Sequence, residues 1–345
     1  MYLTYSELKD QYNALEKAAA LLNGSWGEAK RLFERNQPRA VVFLGCGSSY
    51  SIAQSLAAAT MMHMKTPAVA LPAGDYMLHS SSYSGALDGA LAVAISRSGS
   101  TSELVEAVER LKADLDAPVI SLVAAVDSPL AALSDMTVEM PWCFDQSVCQ
   151  TRTVSCLYFA GMLLIARLAG ADALADGLLR AVTGGPAYLQ SIEQDLKTVA
   201  EKPWTNAVVL ADAELAGIAS EAALAFREIC QRPGSFYHVL DVRHGPMVLI
   251  RPDTLVIAAL SNGNQYELDL VADIAKKGAG LIVYSDIPLD VLPDRTLNVS
   301  FGKSLPHAAR GLPFLLIAQL VSYHKAIADG VNPDEPSGLD PWIKL

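Results

Sequence analysis

"ALAVAISRSGSTSELVEAVERLKA", residues 90–113, decides how the rest of the chain is read. Residues 90–96 are a near-continuous apolar run, which suits a strand buried on both faces of a sheet. Residues 101–113 carry a helical pattern. Between them stand Ser96, Arg97, Ser98, Gly99, Ser100 and Thr101. A strand running through a short polar loop into a helix is one half of a βαβ unit.

Working outward, the same grammar repeats. "AVVFLG" (40–45), "PAVALPA" (67–73) and "APVISLVAA" (117–125) read as strands, and 49–64 as a helix. After two long helical stretches, at about 151–170 and 172–200, the alternation returns. There 206–211, 253–261 and 279–286 read as strands, 213–229 and 264–278 as helices, and a last helix covers 306–330. Apolar strands alternating with helices predict parallel sheets, and right-handed crossovers make each sheet doubly wound. The fold class is α/β: two tandem domains, each a doubly wound parallel sheet flanked by helices. The expected division is a helical segment at 1–39, a first domain at 40–200 and a second at 201–345, with "EKPWTN" (201–206) as the linker.

The chain has 345 residues, is 51% hydrophobic and 18% charged, and carries a formal charge of −11. That is ample core material and a balance opposed to nucleic acid, whose binding needs a basic face. Five cysteines without C-x-x-C spacing fit a reducing compartment better than a disulfide framework or a zinc site. The N-terminus is an amphipathic helix rather than a signal segment. The apolar runs "CLYFAGMLLIARLAG" and "GLPFLLIAQLVSYHKA" are broken short of the ~20 residues of a membrane span and read as buried helices. The expected setting is cytoplasmic, away from membranes.

Two loops in the first repeat, "GCGSSY" and "SRSGST", are rich in small hydroxyl residues; their counterparts in the second, "ADAEL" and "SNGNQ", are not. In open parallel sheets, ligands bind beyond the carboxyl ends of the strands. A helix N-terminus there offers unpaired N–H groups and about half a positive charge. Gly45, Gly47 and Gly99 allow close backbone approach. Such loops suit a small phosphate ester. The alternative for each loop is helix capping by Ser or Thr; two hydroxyl loops at strand ends of one repeat favour phosphate. Neither the P-loop ending nor the dinucleotide fingerprint is present.

These loops, with "SVCQTRTVS" (147–155), "FREICQRPGSFYHVLDVRHGPMVLI" (226–250) and "HKAIADGVNPDEPSGL" (324–339), resemble the double-SIS-domain phosphosugar isomerase family. The chain looks like the isomerase half of glucosamine-6-phosphate synthase, and more closely like stand-alone tagatose-6-phosphate ketose/aldose isomerase-like and fructosamine-deglycase-like proteins. The resemblance implies two SIS domains and a homodimer. It implies phosphate ligands at Ser48, Ser49, Ser96, Ser98 and Thr101, with Gly47 beside them. Arg97 stands where the synthase has glutamine and adds charge, and Val148 touches the sugar through its backbone. It also implies that Glu228 is the catalytic carboxylate and that His244, sixteen residues on, opens the sugar ring from across the dimer interface. Arg243 either pairs a carboxylate or assists the substrate.

The chemistry asks for these residue types on its own. Ring opening takes a proton from one oxygen and returns it to another, which histidine does near neutral pH. A single carboxylate then carries a proton between C1 and C2. Neither a metal nor a cofactor is required. Alone, Glu228 would be a solvated helix face and His244 a loop-shaping residue. His307 and His324 read as structural, Asp75 and His79 as weaker candidates, and Cys46 as chemically silent.

The pattern departs from the synthase in two places. The lysine before the catalytic glutamate is absent from Ala225-Phe226-Arg227-Glu228. The closing Ala-Lys pair is replaced by Asp340 and Pro341. The expected activity is therefore isomerisation or deamination of a hexose or amino-hexose 6-phosphate rather than glucosamine synthesis. The alternatives are a plain aldose–ketose isomerase and a non-catalytic sugar-phosphate sensor.

Overall fold

The computed structural model describes residues 2–261, 264–286 and 289–339. The chain forms two compact units. The first comprises residues 9–146 and 150–179; the second comprises 2–8, 147–149 and 180–339.

Helix α1 (Leu3–Asn36) contributes its first residues to the second unit and the rest to the first. The first unit continues with β1 (Ala40–Gly45), α2 (Ser48–Ala59), a π-helical turn at Thr60–Met64, β2 (Ala68–Pro72) and α3 (Ala73–Leu87). Then come β3 (Ala90–Ser96), α4 (Ser102–Leu115), β4 (Val119–Val123), α5 (Pro129–Leu133), β5 (Met136–Glu139) and α6 (Arg152–Leu168). Its five strands are parallel in the order β2-β1-β3-β4-β5. All seven residues of β3 are buried, as a strand covered on both faces requires. Helix α4 buries Leu104, Ala107, Val108 and Leu111, one stripe at i, i+3, i+4 and i+7. That stripe meets Val42, Leu44, Ala92, Ala94 and Val119 in the unit's core. Each fully buried Val or Leu there contributes roughly 1.5–3 kcal/mol.

Helix α7 (Asp172–Ala200) leads into the second unit. There β6 (Asn206–Leu210), α8 (Ala216–Ile229), β7 (Gly234–Tyr237), β8 (Thr254–Ala259), α9 (Gln265–Lys276), β9 (Gly280–Ser285), β10 (Thr296–Ser300) and α10 (Gly311–Asp329) follow. The parallel sheet runs β10-β9-β8-β6-β7. Matching β6 to β1, β7 to β2, and so on, makes this the same order as the first sheet, so the repeat holds at the level of topology. The apolar helices α6 and α10 are buried almost throughout. Residues 307–329 have the length and composition of a membrane span, yet 83% of the apolar window is buried inside the fold, which marks a core helix.

Two details differ from the sequence reading. Residues 201–205, expected to link two domains, are a largely exposed segment within the second unit, anchored by Trp204. Trp204 is 5% exposed, donates its indole N–H to Val199 O at 3.1 Å, and meets the Phe226 ring edge-on at 5.7 Å. The unit begins at Arg180, inside α7. Strands β5, β7 and β10, one or two of them at the edge of each sheet, are short and mixed in polarity, and the apolar-run criterion passes over them.

Candidate functional site

In the first sheet, connections leave β1 toward β2 on one side and reach β3 on the other, so the switch point lies between the adjacent strands β1 and β3. Both hydroxyl loops leave the carboxyl ends of these two strands. The first loop turns sharply. A Cβ on Gly45 would lie 2.5 Å from the Ser49 carbonyl carbon, and Gly47 has φ 52° and ψ −123°. Ser48 and Ser49 are each 4% exposed in the first turn of α2. The helix cap is a glycine, without any side-chain cap bond.

The second loop is built by its own serines. Ser96 Oγ accepts the Gly99 N–H at 2.9 Å, and Ser98 Oγ accepts the Ser100 N–H at 3.2 Å. A hydroxyl that accepts in this way keeps its O–H to donate. Gly99 has φ 62°, and a Cβ there would lie 2.2 Å from Ser128 Oγ, so only glycine fits this turn. Thr101 precedes α4 yet makes no side-chain cap bond. The capping alternative therefore fails for the cap residues of both helices. Arg97 is buried, and its guanidinium lies 5.6 Å from the Phe144 ring centroid. The fold thus brings Gly47, Ser48, Ser49, Ser96, Arg97, Ser98 and Thr101 to neighbouring strand ends.

Cys46 in the first loop carries a thiol held in its neutral form. Burial, aided by the Glu103 charge, pushes its thiol up to about 11, against the opposing pull of the Ala73 and Gly74 N–H groups. Glu103 itself was not singled out from the sequence. It lies in the first turn of α4, and its Oε2 is buried with no hydrogen-bond partner. An acidic residue in a first helical turn is ordinary, so nothing in the sequence separates it from a dipole-stabilising glutamate. Asp75 accepts the Tyr83 hydroxyl at 2.6 Å and sits 4.0 Å from His79 Nε2, all on α3.

Val148, Glu228, Arg243 and His244 belong to the second unit. Glu228 is half-buried in the last turn of α8. Arg243 pairs with a carboxylate, with Nη2 2.6 Å from Asp273 Oδ2. His244 is exposed at the end of a single 3₁₀ turn and precedes Gly245, whose φ is 126°. Val248 and Leu249 close by are 71% and 56% exposed. The Val148 N–H is taken by Asp334 O at 2.9 Å, so a backbone contact from Val148 to a sugar cannot use that N–H. His307 pairs with Glu214 at 2.8 Å and His324 with Glu193 at 3.7 Å. Asp340 and Pro341 lie outside the described residues.

Comparison with known proteins places this arrangement. Residues 36–167 match the SIS domain. D-galactosamine-6-phosphate deaminase AgaS of Shewanella sp. (strain ANA-3) is 27% identical over 313 residues, which cover 86% of this chain and 77% of that one. Glutamine–fructose-6-phosphate aminotransferase [isomerizing] of Shewanella oneidensis is 25% identical over 72% of this chain. The matched segment spans only 43% of that aminotransferase. The crystal structure of tagatose-6-phosphate ketose/aldose isomerase from Escherichia coli superposes with a TM-score of 0.83, covering 99% of this chain and 97% of that one. At 22% identity this last likeness speaks to the fold. The uncapped hydroxyl loops at the β1/β3 switch point lie within the matched segment, so residues 36–167 are an SIS domain and the chain is similar in sequence to a sugar-phosphate deaminase.

Proposed function

We propose that this protein is a phosphosugar isomerase/deaminase acting on a hexose or amino-hexose 6-phosphate. One observation carries the reading: two hydroxyl loops end adjacent strands at the switch point, and neither following helix spends a side chain on its own cap. Backbone N–H groups and serine hydroxyls there suit a dianionic phosphate, held by fixed dipoles without a basic field.

With the phosphate anchored, His244 opens the ring, moving a proton from the anomeric hydroxyl to the ring oxygen. Its exposure beside Val248 and Leu249 supports its working against a second copy of the chain in a homodimer. Glu228 takes the C2 proton and returns it at C1. On a 2-amino sugar this proton shift gives an imine at C2; water adds, and ammonia leaves with a ketose phosphate as the other product. On a hydroxyl sugar the same shift is an aldose–ketose isomerisation. The likeness to a galactosamine-6-phosphate deaminase over 86% of the chain favours nitrogen release.

The test is an NMR time course in deuterated water with hexose and hexosamine 6-phosphates, run beside an ammonia assay. We expect deuterium at C1 or C2 with ammonia, and a loss of about 10²–10⁴-fold for Glu228→Gln, the usual worth of a general acid–base group. Exchange without ammonia would assign a plain isomerase. Binding with no exchange on any substrate would leave a sensor.

A further inference from the structure

The loop at 147–149 is clamped from two sides by residues far away in sequence. On one side is the N-terminus of α1. Glu7 accepts both the N–H of Ser147, at 3.3 Å, and its hydroxyl. Glu7 and Ser147 are 6% and 2% exposed, so this carboxylate bond is shielded from water and stronger for it. On the other side is the tail after α10. Asp334 presents its two carboxylate oxygens to the first turn of α1: Oδ2 accepts the Leu3 N–H and Oδ1 the Thr4 N–H, each at 2.8 Å. The Thr4 hydroxyl adds a bond to Oδ1 at 2.8 Å. A carboxylate on two N-terminal amides is a helix cap with the favourable sign toward the helix dipole. The main chain of this same residue then takes the Val148 N–H.

The tail reaches further. Asp329 receives Nε and Nη2 of Arg232 at 2.9 and 2.7 Å, and Ser337 O accepts Gln231 Nε2 at 2.8 Å. Gln231 and Arg232 come just after Cys230, the C-cap of the helix that carries Glu228. Residues 329–337 therefore tie the end of α8 to the 147–149 loop through fixed bonds, all within the second unit.

We propose that Asp334 and Glu7 are positioning residues for the sugar-contacting loop at 147–149, acting through the first turn of α1. The proposal rests on the functional reading above, in which that loop meets the sugar. Neither residue touches substrate. Asp334 fixes where its own carbonyl holds Val148, and Glu7 fixes Ser147.

The test joins two readouts on the full chain. Hydrogen exchange of the peptide around 144–152 reports the clamp directly, whatever the protein binds. Calorimetry with an amino-hexose 6-phosphate and, separately, with inorganic phosphate reports the sugar and the anion parts of the site. For Asp334→Ala we expect about tenfold faster exchange at Ser147–Cys149 and about tenfold weaker sugar-phosphate binding, the scale of one charged hydrogen bond. Inorganic phosphate affinity should stay within about twofold. Asp334→Asn keeps one acceptor oxygen for Thr4 but sets an amide N–H against the Leu3 N–H, and should recover both only in part; Glu7→Ala should resemble Asp334→Ala. Unchanged exchange overturns the proposal, as does faster exchange with unaltered sugar-phosphate binding. Parallel loss of phosphate and sugar-phosphate affinity would mean general damage and also overturns it. A native chain that binds phosphate but no sugar phosphate defeats the functional reading itself, and the exchange result still says whether the clamp exists.

Discussion

Cys46 lies in the first hydroxyl loop with its thiol held in the neutral form. Four of the five cysteines are buried and Cys46 alone is partly accessible, so alkylation reads it selectively. Its thiol is raised from 9.0 to about 11, chiefly by burial. Because the folded value exceeds the unfolded one, its contribution to stability is whole below pH 9 and lost as pH rises through about 11. The reactive thiolate is correspondingly scarce at pH 8. We expect iodoacetamide labelling to be slow at pH 8 and to climb steadily toward pH 11; a rate that levels off near pH 9 would contradict this. Glu103, one of the causes of the shift, is the same carboxylate whose Oε2 lacks a partner.

At the scale of elements, the packing of α2 on α6 depends on one absent side chain. A Cβ on Gly161 in α6 would lie 2.3 Å from Leu56 Cδ1 and 2.7 Å from Cδ2, and Leu56 is fully buried. Alanine would gain up to about 1 kcal/mol of helix propensity, but overpacking of this kind costs about 1–3 kcal/mol. Gly161→Ala should therefore destabilise the protein in urea unfolding. Adding Leu56→Ala should cost less than the two single changes summed, because each removes the other's conflict. The elements themselves were largely legible. Residues 40–45 and 90–96 announce strands because burial on both faces demands unbroken apolar runs. Residues 136–139, 234–237 and 296–300 do not, because short strands at or near a sheet edge need no such run. The serine loops were legible for the opposite reason, as polar residues set between apolar elements. The roles of Glu7 and Asp334 were not: Asp334 lies in the 324–339 motif, but neither acid carries a local mark of a partner more than a hundred residues away.

At the scale of the whole molecule, two sheets of one topology have been given different strand-end chemistry. In the second, carboxylates at the strand ends accept from nearby N–H and cationic groups. Asp212 accepts from His238 Nδ1 and the Val239 N–H, Glu267 accepts the Ser261 N–H at 2.8 Å, and Asp286 is buried against Arg310 at 3.0 Å. These carboxylates have taken donors that a phosphate would need. Calorimetric titration should accordingly give one sugar phosphate per chain; two equivalent sites would show that the second sheet binds as well.

The Thr4–Asp334 bond joins residues 330 positions apart, and it has a consequence for how the molecule is made. At roughly 5–20 residues per second of synthesis, α1 leaves the ribosome many seconds before its cap exists. The 147–149 loop waits about half as long for the same residue. Until Asp334 emerges, the nascent chain can complete the first sheet, with its serine loops, but not the seat of the 147–149 loop. On the function proposed above, anion affinity would come early in the life of each chain and sugar selectivity last.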